Sequence, residues 1–131
     1  MDGRSRLAVV FGPVPIQRLE GAALLAVGIV TFGASGWSWW WFAALLLAVD
    51  VSMIGYAAGP KIGAATYNVG HALIGPAVML AWWWIEPSDP VLAIAAIWLA
   101  HIGMDRTFGY GLKHPDRFEH THLGTIGKRR A

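Results

Sequence analysis

The chain has no cysteine and few charges, and two of its loops have no lysine or arginine at all. Without cysteine there are no disulfides and no thiolate metal ligands. Any metal site would therefore use nitrogen and oxygen donors. Charged residues make up 14% of the 131 residues, against roughly 25% in an ordinary soluble domain. At 56% hydrophobic and a mean hydropathy of +0.49, the chain lacks the polar surface of a soluble domain. Its length allows one domain. The net charge of +2 and pI near 9.3 raise the question of nucleic acid, but the placement of the charges answers it differently. A short apolar run after Arg4 and Arg6 is interrupted by Gly12, Pro13 and Pro15. No small-residue cleavage site follows it, so it reads as retained and not as a signal peptide.

What is present is four apolar stretches, at about 16–34, 37–57, 62–85 and 91–112, followed by a polar tail over 113–131. Each has about the 20 residues a helix needs to cross roughly 30 Å of hydrocarbon. The expected fold class is all-α: a polytopic membrane protein, built as a four-helix transmembrane bundle. Helices joined by short turns alternate in direction. That puts all ten basic residues (Arg4, Arg6, Arg18, Lys61, Arg106, Lys113, Arg117, Lys128, Arg129 and Arg130) on one side. The opposite loops carry only Glu86 and Asp89, and the positive-inside rule then places both termini in the cytoplasm. Tryptophan gives a second, independent sign. Trp37, Trp39, Trp40 and Trp41 open the second stretch, and Trp82, Trp83 and Trp84 close the third, an aromatic belt at the outer interface. The basic run Lys128 to Arg130 is expected to meet anionic lipid. Gly55, Gly59 and Gly63, four apart, suit either a tight turn or a close helix approach.

Ionisable residues within spanning helices are costly, and here they share one depth. Counted along their helices at 1.5 Å per residue, Asp50, His71, His101 and Asp105 all fall roughly 10–17 Å from the cytoplasmic interface. His101 and Asp105, spaced i, i+4, meet on one helix face. Asp50 and His71 form a second candidate pair across a helix contact. Three uses are open. The pairs can serve as general acid and base, ligate Fe, Mn or Zn through two imidazoles and two carboxylates, or satisfy one another as internal hydrogen bonds. Around them, Tyr67, Asn68, Arg106, Tyr110, Lys113 and His122 are the candidate substrate-binding residues. Arg106 and Lys113 suit a phosphate or carboxylate, or equally snorkelling to headgroups.

The block LAHIGMDRTFGYGLKHPDRFEHTHLGTIG, from Leu99 to Gly127, together with Tyr67, Asn68, His71 and Pro76, resembles a family of small bacterial membrane proteins. That family is catalogued as a domain of unknown function. The resemblance covers roughly Ala22 to Gly127. It implies that His71, His101, Asp105, Arg106, Tyr110, Lys113, Thr121 and His122 belong to the family's pattern. It also implies that the tail folds back beneath the pocket to bring His122 there. His114 and His120 stand where the family usually has tyrosine and an acidic residue, which argues against a role for those two. The expectation is a bacterial inner-membrane protein with a His/Asp pocket open to the cytoplasmic leaflet, acting as an acid–base enzyme on a lipophilic small molecule. The alternatives are an accessory subunit of a larger membrane complex and a proton-coupled carrier working as a homo-oligomer. The bilayer is the expected partner, nucleic acid is not, and no cofactor is named by the sequence.

Overall fold

The computed structural model describes residues 3–127. The basic run Lys128 to Arg130, expected at anionic lipid, lies outside the described residues. A short helix α1 (Gly3–Val10) leads through Gly12 into α2 (Pro13–Ala34). Pro13 and Pro15 stand in the opening turn of α2, where a missing N–H costs nothing. Ser38 caps α3 (Trp39–Leu45) by accepting from the Trp40 amide. The chain then tightens into an eleven-residue 3-10 helix (Ala48–Ala58), so the stretch expected as one α-helix is two helical forms in series. Gly59, at φ +110°, turns the chain into α4 (Pro60–His71), and α5 (Ile74–Ile85) and α6 (Asp89–Phe108) follow.

The expected third helix is also two. Pro76 has no N–H, and its ring would strike the carbonyl of Ala72, four residues earlier, in a continuous helix. Ala72 accordingly adopts φ −82° and ψ 147° and ends α4. α6 ends at Gly109, in the left-handed region at φ 89°, where glycine is the default residue. The tail holds a small antiparallel pair, β1 (His120–Thr121) and β2 (Gly124–Thr125).

Three helical stretches are long and apolar enough to cross a membrane: Pro13–Ala34, Trp39–Ala58 and Asp89–Phe108. The chain is an all-α membrane protein. Its core is the α2–α6 pair, which runs antiparallel. Any Cβ added at Gly28 would lie 2.8 Å from the Cβ of Ala100, and one at Gly21 would lie 2.7 Å from the Cβ of Arg106. Such contacts let the two backbones touch, as small residues do in membrane helix pairs. Towards the tryptophan end, Phe32, Ala93, Ala96 and Ile97 close this core, with Trp37, Phe42 and Leu45 packed over it. A second antiparallel pair, the 3-10 helix against α4, brings Gly55 to Thr66, Gly63 to the Tyr56 ring and Gly70 to Ser52. The three glycines at 55, 59 and 63 thus serve both of their expected uses, a turn at the middle one and close approach at the outer two.

Candidate metal centre

Asp50, His71, His101 and Asp105 come from three elements and meet at one point. Asp50 comes from the 3-10 helix, His71 ends α4, and His101 and Asp105 lie one turn apart on α6. The His71 Nε2 lies 3.2 Å from Asp50 Oδ1 and 3.3 Å from Asp105 Oδ2. The His101 Nε2 lies 3.3 Å from Asp50 Oδ1 and 3.2 Å from Asp105 Oδ2. The two Nε2 atoms are themselves 3.1 Å apart. One donor atom from each of the four residues lies within 4.8 Å of all the others. Both histidines are buried, His101 completely.

The far side of each ring fixes its tautomer. His71 Nδ1 is 2.9 Å from the Tyr67 carbonyl and His101 Nδ1 is 2.5 Å from the Leu46 carbonyl. A carbonyl only accepts, so each Nδ1 carries the proton and donates it. In a neutral imidazole the Nε2 is then a bare lone pair. Two such lone pairs 3.1 Å apart, each 3.2–3.3 Å from both carboxylates, repel unless protons or a metal cation lie between them. A tetrahedron of nitrogen and oxygen donors about 2.0–2.1 Å from a zinc ion has edges of about 3.3–3.4 Å. Five of the six separations here are close to that spacing. Backbone carbonyls that orient the ligating imidazoles from behind are the usual outer shell of a metal site.

Local structure explains how the sequence delivers this geometry. The Leu46 carbonyl that holds His101 stands at the switch from α3 to the 3-10 helix. His71 stacks flat on Tyr67, with ring centroids 3.7 Å apart, and Ser52 Oγ lies 3.4 Å from its Nδ1. Trp98 on α6 donates through Nε1 to the Gly70 carbonyl at 2.6 Å, pinning the end of α4 beside the cluster. Of these supports the sequence singled out only Tyr67, and as a candidate substrate-binding residue. A backbone carbonyl such as that of Leu46 leaves no mark in side-chain pattern.

The remaining candidates divide. Tyr67, Tyr110 and Lys113 line a cavity of about 310 Å³ that Asp50 and Asp105 also border, with Met53, Phe118 and Ile126 completing it. Met53, Phe118 and Ile126 carried no signal, being unremarkable apolar residues far apart in the chain. Asn68 does not face this cavity. Its amide is spent on the tail, donating to the Lys113 carbonyl at 2.9 Å and accepting from the Lys113 amide at 2.6 Å. Arg106 sits on the other side of Asp105, along a narrow crevice with Ile102 and Leu112. His122 is exposed and accepts from the Leu112 amide through Nδ1 at 2.8 Å. The tail does fold back: Lys113 bridges to Thr121, and His114 donates to the His120 carbonyl at 2.8 Å. The ring of His120 faces Asp116, 2.8 Å away and outside the cluster.

A family model for a domain of unknown function, DUF4260, matches residues 15–126. The chain belongs to the DUF4260 family. No curated protein and no solved structure matches it. The DUF4260 match takes in all four residues of the cluster and the tail as far as Ile126. α1 alone lies entirely outside it.

Proposed function

We propose that this protein is an intramembrane metalloenzyme, binding one divalent transition metal through Asp50, His71, His101 and Asp105 and acting on an amphiphilic molecule drawn from the bilayer. The observation that carries the reading is the pair of Nδ1-to-carbonyl hydrogen bonds, which turns two Nε2 lone pairs and two carboxylates toward one point. Plain acid–base catalysis fits this less well. In that design the carboxylate accepts from one ring nitrogen and leaves the other free for substrate, whereas here both carboxylates and both rings crowd the same side. The mixed N2O2 donor set suits zinc, iron(II) or manganese(II). Such an ion, once bound, polarises a carbonyl or phosphoryl oxygen or activates water. Asp50 is the ligand most open to the adjoining cavity, with 38% of its side chain exposed, and marks the side from which a substrate arrives.

In this reading all four apolar stretches cross the bacterial inner membrane, α4 and α5 together forming the third pass. The termini face the cytoplasm, in line with the one-sided distribution of lysine and arginine. Impermeant maleimide should label a cysteine at Ser88 in intact cells but not one at Ser5, and the reverse pattern would overturn the orientation. A second reading has a specific observation behind it. His101 and Asp105 already pair at i, i+4, so two imidazolium–carboxylate pairs would make a self-satisfied cluster in an accessory subunit. Metal analysis of protein purified in mild detergent separates the two. The enzyme reading expects about one equivalent of metal in wild type and a large loss in His71→Leu and Asp105→Leu. Well-folded wild type that takes up no zinc, iron, manganese or cobalt leaves the accessory reading standing.

A further inference from the structure

Lys113 is buried, with 5% of its surface exposed, beside a cluster whose charges a divalent ion would already balance. Two carboxylates, Asp50 and Asp105, neutralise an ion of charge +2. The lysine is left over. Among the described residues no carboxylate lies within ion-pair distance of its ammonium. Its neighbours are aromatic faces, Phe118 at 3.7 Å and Tyr67 at 4.8 Å from the ring centroids. Glu119 acts on it only through its field, from an exposed position. Burial holds the ammonium below the usual lysine range, with Asp105 the largest influence in the other direction. The chain nevertheless places this residue with care. Asn68 grips both backbone groups of Lys113 across 45 positions of sequence, and Thr121 bridges it from the other side. A buried, unpaired charge is expensive, and a lysine held in such a place at such a cost points to a ligand.

Resting on the metal centre, we infer that the cavity of about 310 Å³ between the cluster and Lys113 takes the head group of a monoanionic amphiphile, its negative charge set between the metal and the Lys113 ammonium. The charge count favours a monoanion over a dianion, since one positive charge remains. The apolar lining from Met53, Phe118 and Ile126 favours an amphiphile over a small hydrophilic ion. The cavity lies at the small end of the roughly 300–1,000 Å³ range of ligand pockets, enough for a head group and the first carbons of a chain. A carboxylate and a phosphodiester share this chemistry, and the experiment tells them apart.

The test uses the full chain in phosphatidylcholine nanodiscs loaded with cobalt(II), whose visible spectrum reports the ligand field. Dodecanoate, dioctanoyl phosphatidylglycerol and dodecanol are titrated separately. The expected result is a saturable spectral change with at least one of the two anions and none with dodecanol. Which anion acts names the head group. Lys113→Met should keep the cobalt spectrum of the free protein and bind that anion at least about tenfold more weakly, a loss of about 1.4 kcal/mol, while Lys113→Arg restores most of the affinity. Equal responses to dodecanol and to the anions, or undiminished anion binding in Lys113→Met, would overturn the inference and leave the metal centre intact. If Lys113→Met fails to fold, the preference of wild type for anion over alcohol decides alone. Wild type that takes up no cobalt overturns the metal centre, and this inference with it.

Discussion

The two antiparallel helix pairs of this protein both approach at glycines but differ in burial. In the α2–α6 pair, glycine and alanine bring the backbones into contact, and more than half of the apolar window of α6 is buried. In the other pair, no residue of the Trp39–Ala58 window is buried, and its contact with α4 runs through Thr66, Ser52 and Tyr56. Two of the four proposed ligands, His101 and Asp105, belong to the pair that holds buried α6. The other two, Asp50 and His71, belong to the pair with the exposed 3-10 helix. A metal ion would therefore fasten the one pair to the other. We expect stability to rest mainly on α2–α6 and the response to the metal to fall mainly on the 3-10 helix and α4.

The sharpest way to break that contrast is at Gly28. Leucine there would drive its side chain into the backbone of Ala100, and overpacking of a rigid contact costs about 1–3 kcal/mol or more. We expect Gly28→Leu to abolish the folded monomer, read as loss of a cooperative melt in detergent. Next in size is the effect of the ligands. His101→Leu with Asp105→Leu removes both of the proposed ligands on α6 together, so the metal-free protein should remain folded, since paired removal strands neither partner of that pair. Metal affinity should fall beyond the roughly 10–100-fold that outer-shell changes cost, as measured by competition with a chelating dye.

Stripping the metal sharpens the comparison without any substitution. A ligand present at 1,000 times its Kd stabilises the native state by about 4.1 kcal/mol. That energy should be felt unequally: amide exchange should accelerate over residues 46–71 and change little over α2 and α6. Uniform acceleration would erase the distinction between the two pairs. The smallest effect concerns the tail. Partial desolvation of the otherwise exposed ring, with the Arg106 guanidinium nearby, holds the His122 imidazole below its usual range. Its neutral form accepts from the Leu112 amide. Because the docked tail favours the neutral ring, docking is strongest above about pH 6.5 and weakens as pH falls from there towards the lower pKa of the docked state. Exchange over residues 111–123 should rise modestly on acidification, and His122→Gln should flatten that dependence.

The all-α membrane class was legible in the sequence, because three of the apolar stretches are helical and long enough to cross a membrane and the bilayer imposes length and composition directly. Counting residues along helices put Asp50, His71, His101 and Asp105 at one level, and the structure brings the four together. The two helix breaks were not foreseen, for different reasons. The one at Ala72 had a local cause in Pro76 that four residues of spacing disclose. The switch to a 3-10 helix near Leu46 has no such cause in LLLAV, and the Leu46 carbonyl that holds His101 could not be read from it. The tail was the least legible part, because Asn68 and Lys113 meet only after the chain has turned back on itself.

X-ray absorption at the metal edge of the purified protein reads whether these four side chains hold one metal ion. We expect only nitrogen and oxygen around the metal, at about 2.0–2.2 Å if it is zinc, with the multiple-scattering pattern of two imidazoles. His71→Leu should reduce that pattern to one imidazole in whatever metal is retained. A metal without imidazole scattering, or one unaffected by the loss of His71, would mean that these four side chains do not hold it.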